Sequence, residues 1–361
     1  MTPTSTFRRA SPCLAAAAGL ALFAVPAQAA QTINLTAVDG YPPKSLWVKT
    51  FIEVYIPEIN KNLAKTKNFQ IKWNQAWAGQ ITKVRFVLDG IQKGLGDIGV
   101  VTSVFHSDKV PLMGIAYATP FVTSDPALVA RTFDDMAREY TVMADVWKKY
   151  NQIYLTTLTV LDSYQMFFRQ KVTSIDDFNG RKVAAAGLNL RYLDKTGAVG
   201  VAGSMVNYYN DIKTGVVDGT MLWPEAIITM KINEVAPYMV KADIGTANSK
   251  AITINQDTYK KLPAEVRKAI HDASPVYRDV TAQEVLKESE TAYDEYKKKG
   301  GTITQLTDAE RKKWAMSMPN VSKEWVADLE KKGIPARQML TAYMDRMRAA
   351  KQPILRHWDK E

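Results

Sequence analysis

The sequence predicts an α/β protein of two lobes facing a cleft, with one long helix spanning both. Three observations carry this. A chain of 361 residues exceeds what one compact core usually holds. The pattern I-x-x-G-x-x-D occurs twice, at Ile91-Gly94-Asp97 and Ile212-Gly215-Asp218, each time ending a helix and leading into an apolar strand. A mixed-charge helical run also continues to Lys299, unusually long for a globular helix.

The elements follow in order. Residues 1–29 read as a secretory signal: basic Arg8 and Arg9, the apolar run "CLAAAAGLALFAV", and an A-x-A cleavage site at Ala27–Ala29, with Ala30 starting the mature chain. "TINLTAV" at 32–38 opens the first lobe as a strand. In "ITKVRFVLDGIQKGLGDIG" Ile81, Val84, Leu88 and Ile91 share a helical face before Gly94 stops the helix. "IYLTTLTVL" at 153–161 opens the second lobe, and "YYNDIKTGVVDGTML" repeats the helix–glycine–aspartate–strand plan. A strand near 250–255 precedes a helix with Pro263 in its first turn. Thr307 and Glu310 form a capping box for the next helix, and "ARQMLTAYMDRMRAAK" is an amphipathic helix near the end. The expected division is 30–160 plus about 249–287 for lobe I, and 161–248 plus about 288–361 for lobe II.

Composition narrows the function. The net charge is +10, two units of it from Arg8 and Arg9, and no block of five basic residues occurs. Nucleic acid is therefore not expected as a partner, and the mild positive excess suits small anions. The single cysteine, Cys13, falls in the signal, which leaves no disulfide, thiolate metal site or cysteine nucleophile. Past residue 29 no run is apolar enough to cross a bilayer, so the mature chain is not expected to be membrane-embedded.

Enzyme motifs fail on context. "GLGDIG" at 94–99 follows a helix and precedes a strand, the reverse of a dinucleotide site. "AGSMV" around Ser204 lacks a nucleophile elbow's glycine. His106, His271 and His357 have no second metal ligand at a useful spacing. Asp134-Asp135 and Asp176-Asp177 read as helix-start caps. No catalytic residue, cofactor or metal is expected. An exported two-lobed α/β chain with a cleft points to capture of a small solute. Arg191, in "NGRKVAAAGLNLRY", lies among apolar neighbours, where its charge calls for an anion; a surface pair with Asp194 is the other reading.

The runs "SIDDFNGRKVAAAG", "YYNDIKTGVVDG…ITMKINEVAPYM", "YKKLPAEVRKAI", "AYDEYKKKGGTITQL", "GQITKVRFVLDGIQKGLGDIG" and "YATPFV" resemble, in order and over essentially the whole mature chain, the extracytoplasmic solute receptors of tripartite ATP-independent periplasmic (TRAP) transporters. The resemblance implies a periplasmic binding-protein fold, a periplasmic home, and delivery of an organic acid to a membrane permease, with the receptor expected as a monomer. A receptor for an ATP-driven importer and, in another class, an exported enzyme are the alternatives; turnover of the ligand separates the latter.

The departures from the family pattern shape the expected ligand. Ala184 stands where the family usually has its carboxylate-clamping arginine, and Tyr164 where another arginine is common. Leu222 and Trp223 replace asparagine and proline after "VVDG". In the first lobe the pocket positions are Thr102 and Phe105; Tyr41 and Met205 complete the apolar and aromatic candidates. Arg191, seven residues past Ala184, is expected to reach the carboxylate instead, with Lys250 as a second cationic contact. The expected ligand is a monocarboxylate with an aromatic or bulky apolar body.

Overall fold

The computed structural model describes residues 1–4, 6 and 30–361; the signal-peptide reading lies outside the described residues. Among the described residues, eleven strands form two sheets. They are β1 (Gln31–Val38), β2 (Phe69–Ala76), β3 (Ile98–Thr102), β4 (Gln152–Leu158), β5 (Gln165–Phe168), β6 (Lys182–Ala185), β7 (Val199–Ala202), β8 (Gly219–Leu222), β9 (Tyr238–Lys241), β10 (Lys250–Asn255) and β11 (Thr302–Gln305). The first sheet runs β2-β1-β3-β10-β4, the second β11-β9-β5-β8-β6-β7. Inner strands β3 and β10 are buried at every residue, which explains their largely apolar runs "IGVV" and "AITI".

The two sheets are built alike. In each, a parallel group (β2-β1-β3 or β7-β6-β8) is followed by a strand antiparallel to its neighbours, β10 or β5. That antiparallel strand comes from the other lobe: β5 follows β4 of the first sheet, and β10 follows β9 of the second. The repeated I-x-x-G-x-x-D does the same job twice. Gly94 (φ 73°) and Gly215 (φ 77°) take the left-handed turn that ends each helix. The aspartates then grip the adjacent parallel strand: Asp97 Oδ2 accepts from Thr36 N at 2.7 Å, and Asp218 Oδ2 from Lys182 N at 2.9 Å. Ile81 departs from its expected place; the helix is a 3₁₀ turn at Val84–Phe86 and an α-helix only at Val87–Gln92, leaving Ile81 outside it and exposed.

Two strand-to-strand connections, 159–164 and 242–249, cross between the lobes and are zipped together. Tyr164 N donates to Gly245 O, Ile244 N to Tyr164 O, and Gly245 N to Ser163 Oγ. Gln165 adds a side-chain clasp, its Oε1 accepting from Ala242 N and Asp243 N at 2.7 and 2.9 Å. The helix Ala264–Lys298 makes a further link. Tyr277 in its first half stacks on Tyr55 at 4.9 Å, while Tyr296 near its end donates to Ala236 O at 2.8 Å and packs on Phe167. Pro263 is its N-cap, one residue before the expected first turn.

Three expectations are corrected. The strand read at 153–161 does not open the second lobe: it is β4, paired with β10 at the edge of the first sheet. The C-terminal segment does not stay with the second lobe alone: Trp314 packs on Phe178, but Tyr343 packs on Phe133, Leu355 N donates to Phe121 O and Trp358 Nε1 to Pro120 O, so residues 308–361 brace both lobes. Asp134 is no cap. It sits inside the helix Pro126–Glu139, buried, accepting from Arg278 Nη1 at 2.6 Å, Tyr154 Oη at 2.7 Å and Thr156 Oγ1 at 2.6 Å. Its partner is 144 residues away, which no local pattern reveals. The Thr307–Glu310 capping box forms as expected.

Breaking a buried ion pair from one side strands a charge. Arg278→Leu is expected to lower unfolding stability by about 3–5 kcal/mol in urea titrations followed by circular dichroism. The double variant with Asp134→Leu should recover part of that loss.

Candidate ligand-binding site

The antiparallel strands that change lobes start at the cleft. Lys250, the first residue of β10, pairs in register with Thr102 at the end of β3; in the second lobe Gln165 of β5 pairs with Leu222 of β8. Around these ends lies a cavity with about 400 Å³ of space free of protein atoms, part of it open to solvent. Its first-lobe wall includes Tyr41, Thr102, Phe105, Ser249 and Lys250; the second-lobe wall includes Tyr164, Asn189, Met205, Tyr208, Leu222 and Trp223.

Among the described residues, Lys250 is the only charged side chain lining this cavity. It is 2% exposed. Its ammonium donates to Thr102 Oγ1 at 2.9 Å and lies over the rings of Trp47 and Tyr41, 4.0 and 4.5 Å from their centroids. Behind it, Asp39 is equally buried and held by Trp47 Nε1 at 2.8 Å and Tyr41 N at 2.9 Å. Burial pulls Lys250 down to about 7 against the attraction of Asp39, and pushes the Asp39 carboxyl up to about 6. Burial also raises Tyr41, Tyr117, Tyr164 and Tyr208, which keep their protons through neutral pH.

The aromatic groups are fixed before any ligand arrives. Trp223 Nε1 donates to the buried Glu225 carboxyl at 3.0 Å, and its ring meets Tyr164 edge-on at 6.1 Å. The Tyr164 hydroxyl is 3.4 Å from that of Tyr117. Phe105 lies under the Arg85 guanidinium, 4.2 Å from the ring centroid.

Eight of the nine residues singled out in the sequence meet at this cavity: Tyr41, Thr102, Phe105, Tyr164, Met205, Leu222, Trp223 and Lys250. Arg191 does not. It belongs to the 3₁₀ helix Gly187–Leu193, where three residues per turn put Asn189 and Tyr192 on the buried face and turn Arg191 away. Its side chain is 42% exposed and engages Asp194 and Glu324, each at 2.7 Å. The cation of the cavity is Lys250. Sequence reading missed Asn189, Tyr208, Tyr117 and Ser249; an asparagine inside the apolar run "GLNL" is the one local signal that pointed to any of them.

Residues 52–329 match the family model of the bacterial extracellular solute-binding proteins, family 7. The chain belongs to that family. It is a solute-binding protein and not an enzyme. A curated relative, the C4-dicarboxylate-binding periplasmic protein of Rhodobacter capsulatus, is 29% identical over 174 residues, 47% of this chain and 52% of the relative, so the match spans about half the relative's length. A TRAP solute-binding protein of Rhodoferax ferrireducens, in complex with copurified benzoate, superposes with TM-score 0.79 at 17% identity over 88% of this chain and 98% of that one. An extracytoplasmic solute receptor of Bordetella pertussis that binds pyroglutamic acid gives 0.73 at 19% identity over 87% and 99%. These likenesses establish the two-lobed fold.

In this family 7 protein two first-lobe cations reach backbone carbonyls of the second lobe. Lys44 Nζ donates to Thr229 O at 2.8 Å and Arg85 Nη2 to Gly203 O at 3.1 Å. Carbonyl acceptors make these contacts indifferent to second-lobe side chains at those positions. Each contributes about 1 kcal/mol, so removing both in Lys44→Ala/Arg85→Ala should raise the ligand dissociation rate roughly tenfold or more, read by stopped-flow tryptophan fluorescence.

The lowered Lys250 sets a pH dependence. Above about 7 the free ammonium loses its proton, whereas a bound carboxylate favours the charged form. Binding at pH 8 is therefore expected to take up a proton, and affinity to fall from pH 7 to 9. Calorimetry in buffers of different ionisation enthalpy measures the uptake.

Proposed function

We propose that this protein captures a monocarboxylate with an aromatic or bulky apolar body in the periplasm and delivers it to a TRAP-type membrane permease. The observation that carries the reading is the single ammonium of Lys250 in a cavity otherwise walled by aromatic, aliphatic and neutral polar side chains. One carboxylate is answered by one cation. A second would be buried without a counter-charge, a cost of several kcal/mol. Trp223 and Tyr164 offer ring faces and edges, worth roughly 0.5–1.5 kcal/mol per aromatic pair beyond area burial. The benzoate bound by the Rhodoferax protein is an acid of this class and supports the reading; the dicarboxylate named for the Rhodobacter relative calls for a second cation. Family membership supports the periplasmic location and the permease partner.

Titration calorimetry with benzoate- and cinnamate-like acids, succinate and galacturonate tests this. The aromatic monocarboxylates should bind and the other two should bind at least tenfold more weakly. Lys250→Met should cost about 2–4 kcal/mol, roughly 30- to 1,000-fold in affinity. The pair Asp39→Asn/Lys250→Met, which leaves no stranded carboxylate, should show the same loss. Tight succinate binding, or an unchanged affinity in both variants, contradicts the reading.

A further inference from the structure

Glu225 is a buried carboxyl that the binding chemistry leaves without a task. It is 7% exposed, and among the described residues no basic side chain pairs with it. Burial raises its carboxyl above the ordinary range, and Glu288 and Asp162 push the same way. In such a place hydrogen bonds have to answer both oxygens. They do so from opposite ends of one short helix, Pro224–Thr229. Oε2 accepts from Trp223 Nε1 at 3.0 Å, and Oε1 from Thr229 Oγ1 at 2.6 Å.

Each of these two partners has a second connection. The Trp223 ring is part of the cavity wall and meets Tyr164 edge-on. Thr229 is the last residue of the helix, so its carbonyl has no partner within the helix; it accepts from Lys44 Nζ of the first lobe at 2.8 Å. Any residue at 229 offers that carbonyl, and the threonine hydroxyl fixes where it stands. Lys44 lies in the chain between Tyr41 and Trp47, whose rings cover the Lys250 ammonium. The contacts close a circuit. It runs from Lys250 through its aromatic cover to Lys44, across the cleft to Thr229, and through Glu225 to Trp223 on the cavity wall.

We propose that Glu225 is a positioning residue for solute capture: it ties the Trp223 ring to the end of the helix Pro224–Thr229, and so couples the aromatic wall of the cavity to the Lys44 contact that holds the lobes together. A solute packed on Trp223 steadies the helix and the carbonyl that Lys44 needs. Closure steadies the ring in return, because such coupling is reciprocal. Glu225 itself does not line the cavity, so its effect reaches a solute only through Trp223 and the lobes. The link serves whichever acid the cavity holds.

Distances between spin labels on the two lobes test this, in unliganded protein and in protein with benzoate. Cys13→Ser, Lys93→Cys and Lys213→Cys leave one labelling position per lobe, each exposed and at the end of one of the two equivalent helices. Glu225→Ala should lower the ratio of closed to open forms about fivefold, the worth of one hydrogen bond. Lys44→Ala should lower it by a similar factor, and the double variant should fall no further than the larger single change. Glu225→Gln keeps an acceptor for the indole and should stay within about twofold of the unmodified protein. Thr229→Val cuts the link beyond Trp223 and should match Glu225→Ala; it decides the matter where Glu225→Ala does not fold. A Glu225 with only a packing role lowers the melting temperature in Glu225→Ala and leaves the distances unchanged. That result overturns the proposal, as do losses that multiply in the double variant, or a long distance alone in the unmodified protein under both conditions. Failure of benzoate to bind contradicts the monocarboxylate reading only, and the unliganded distances still decide the role of Glu225.

Discussion

One buried charge organises the binding cavity of this protein. An ammonium removed from water loses hydration worth many kcal/mol, and it stays charged only when its surroundings replace that water. Around Lys250 the replacements are the Thr102 hydroxyl, the faces of Trp47 and Tyr41, and the field of Asp39. None is a full counter-ion in contact. The compensation is partial, and burial still pulls the lysine down. Such a group prefers an anion to solvent-free apolar walls. Asp39 in turn depends on Trp47 and the backbone of Tyr41, so the short stretch from Asp39 to Trp47 exists in this conformation to hold a charge.

Much of the architecture was legible because it follows local rules. The two Gly–Asp units had to end helices and begin strands, and each aspartate does so by binding the neighbouring strand's backbone. The capping box at Thr307 and the long helix needed no tertiary information. The site was less legible, and the misreadings share a cause. Arg191 was read from its apolar neighbours, but the phase of a 3₁₀ helix differs from that of a strand or α-helix, and its second partner Glu324 lies 133 residues on. Asp134 looked like a cap because its true partner, Arg278, is equally remote in sequence. Asn189 shows in the sequence only as a polar residue inside an apolar run, and Tyr208 carries no pattern of its own; only the cavity brings them together.

Relative to the pattern that the resemblance to TRAP receptors implies, the cation of the cavity stands on the opposite wall. The strand that usually bears the arginine has Ala184, buried and flush with β8, while the cation stands on the first-lobe strand β10. The second-lobe wall is left to Tyr164, Leu222 and Trp223, with the Trp223 ring fixed by Glu225. An arginine fork gives two directional bonds, whereas a lysine gives a compact charge with less angular demand. Under the proposed function, discrimination among acids would fall to the shape of the aromatic wall rather than to the clamp.

The exchange of β5 and β10 between the sheets also dictates the order in which this chain can become structured. In the first sheet β4 touches only β10, so the opening 158 residues leave β4 without a neighbour until residues 250–255 arrive. The second sheet, in turn, takes its edge strand β11 from residues 302–305, beyond the point where the chain has returned to the first. Neither half is a self-sufficient folding unit. Contacts this distant in sequence make folding slow and push it toward the end of synthesis, because loops of a hundred residues close before the pairings reward them. A nascent chain that stays unfolded until most of its length exists remains threadable, which is the state a polypeptide needs to pass through a narrow translocation channel before it acquires tertiary structure.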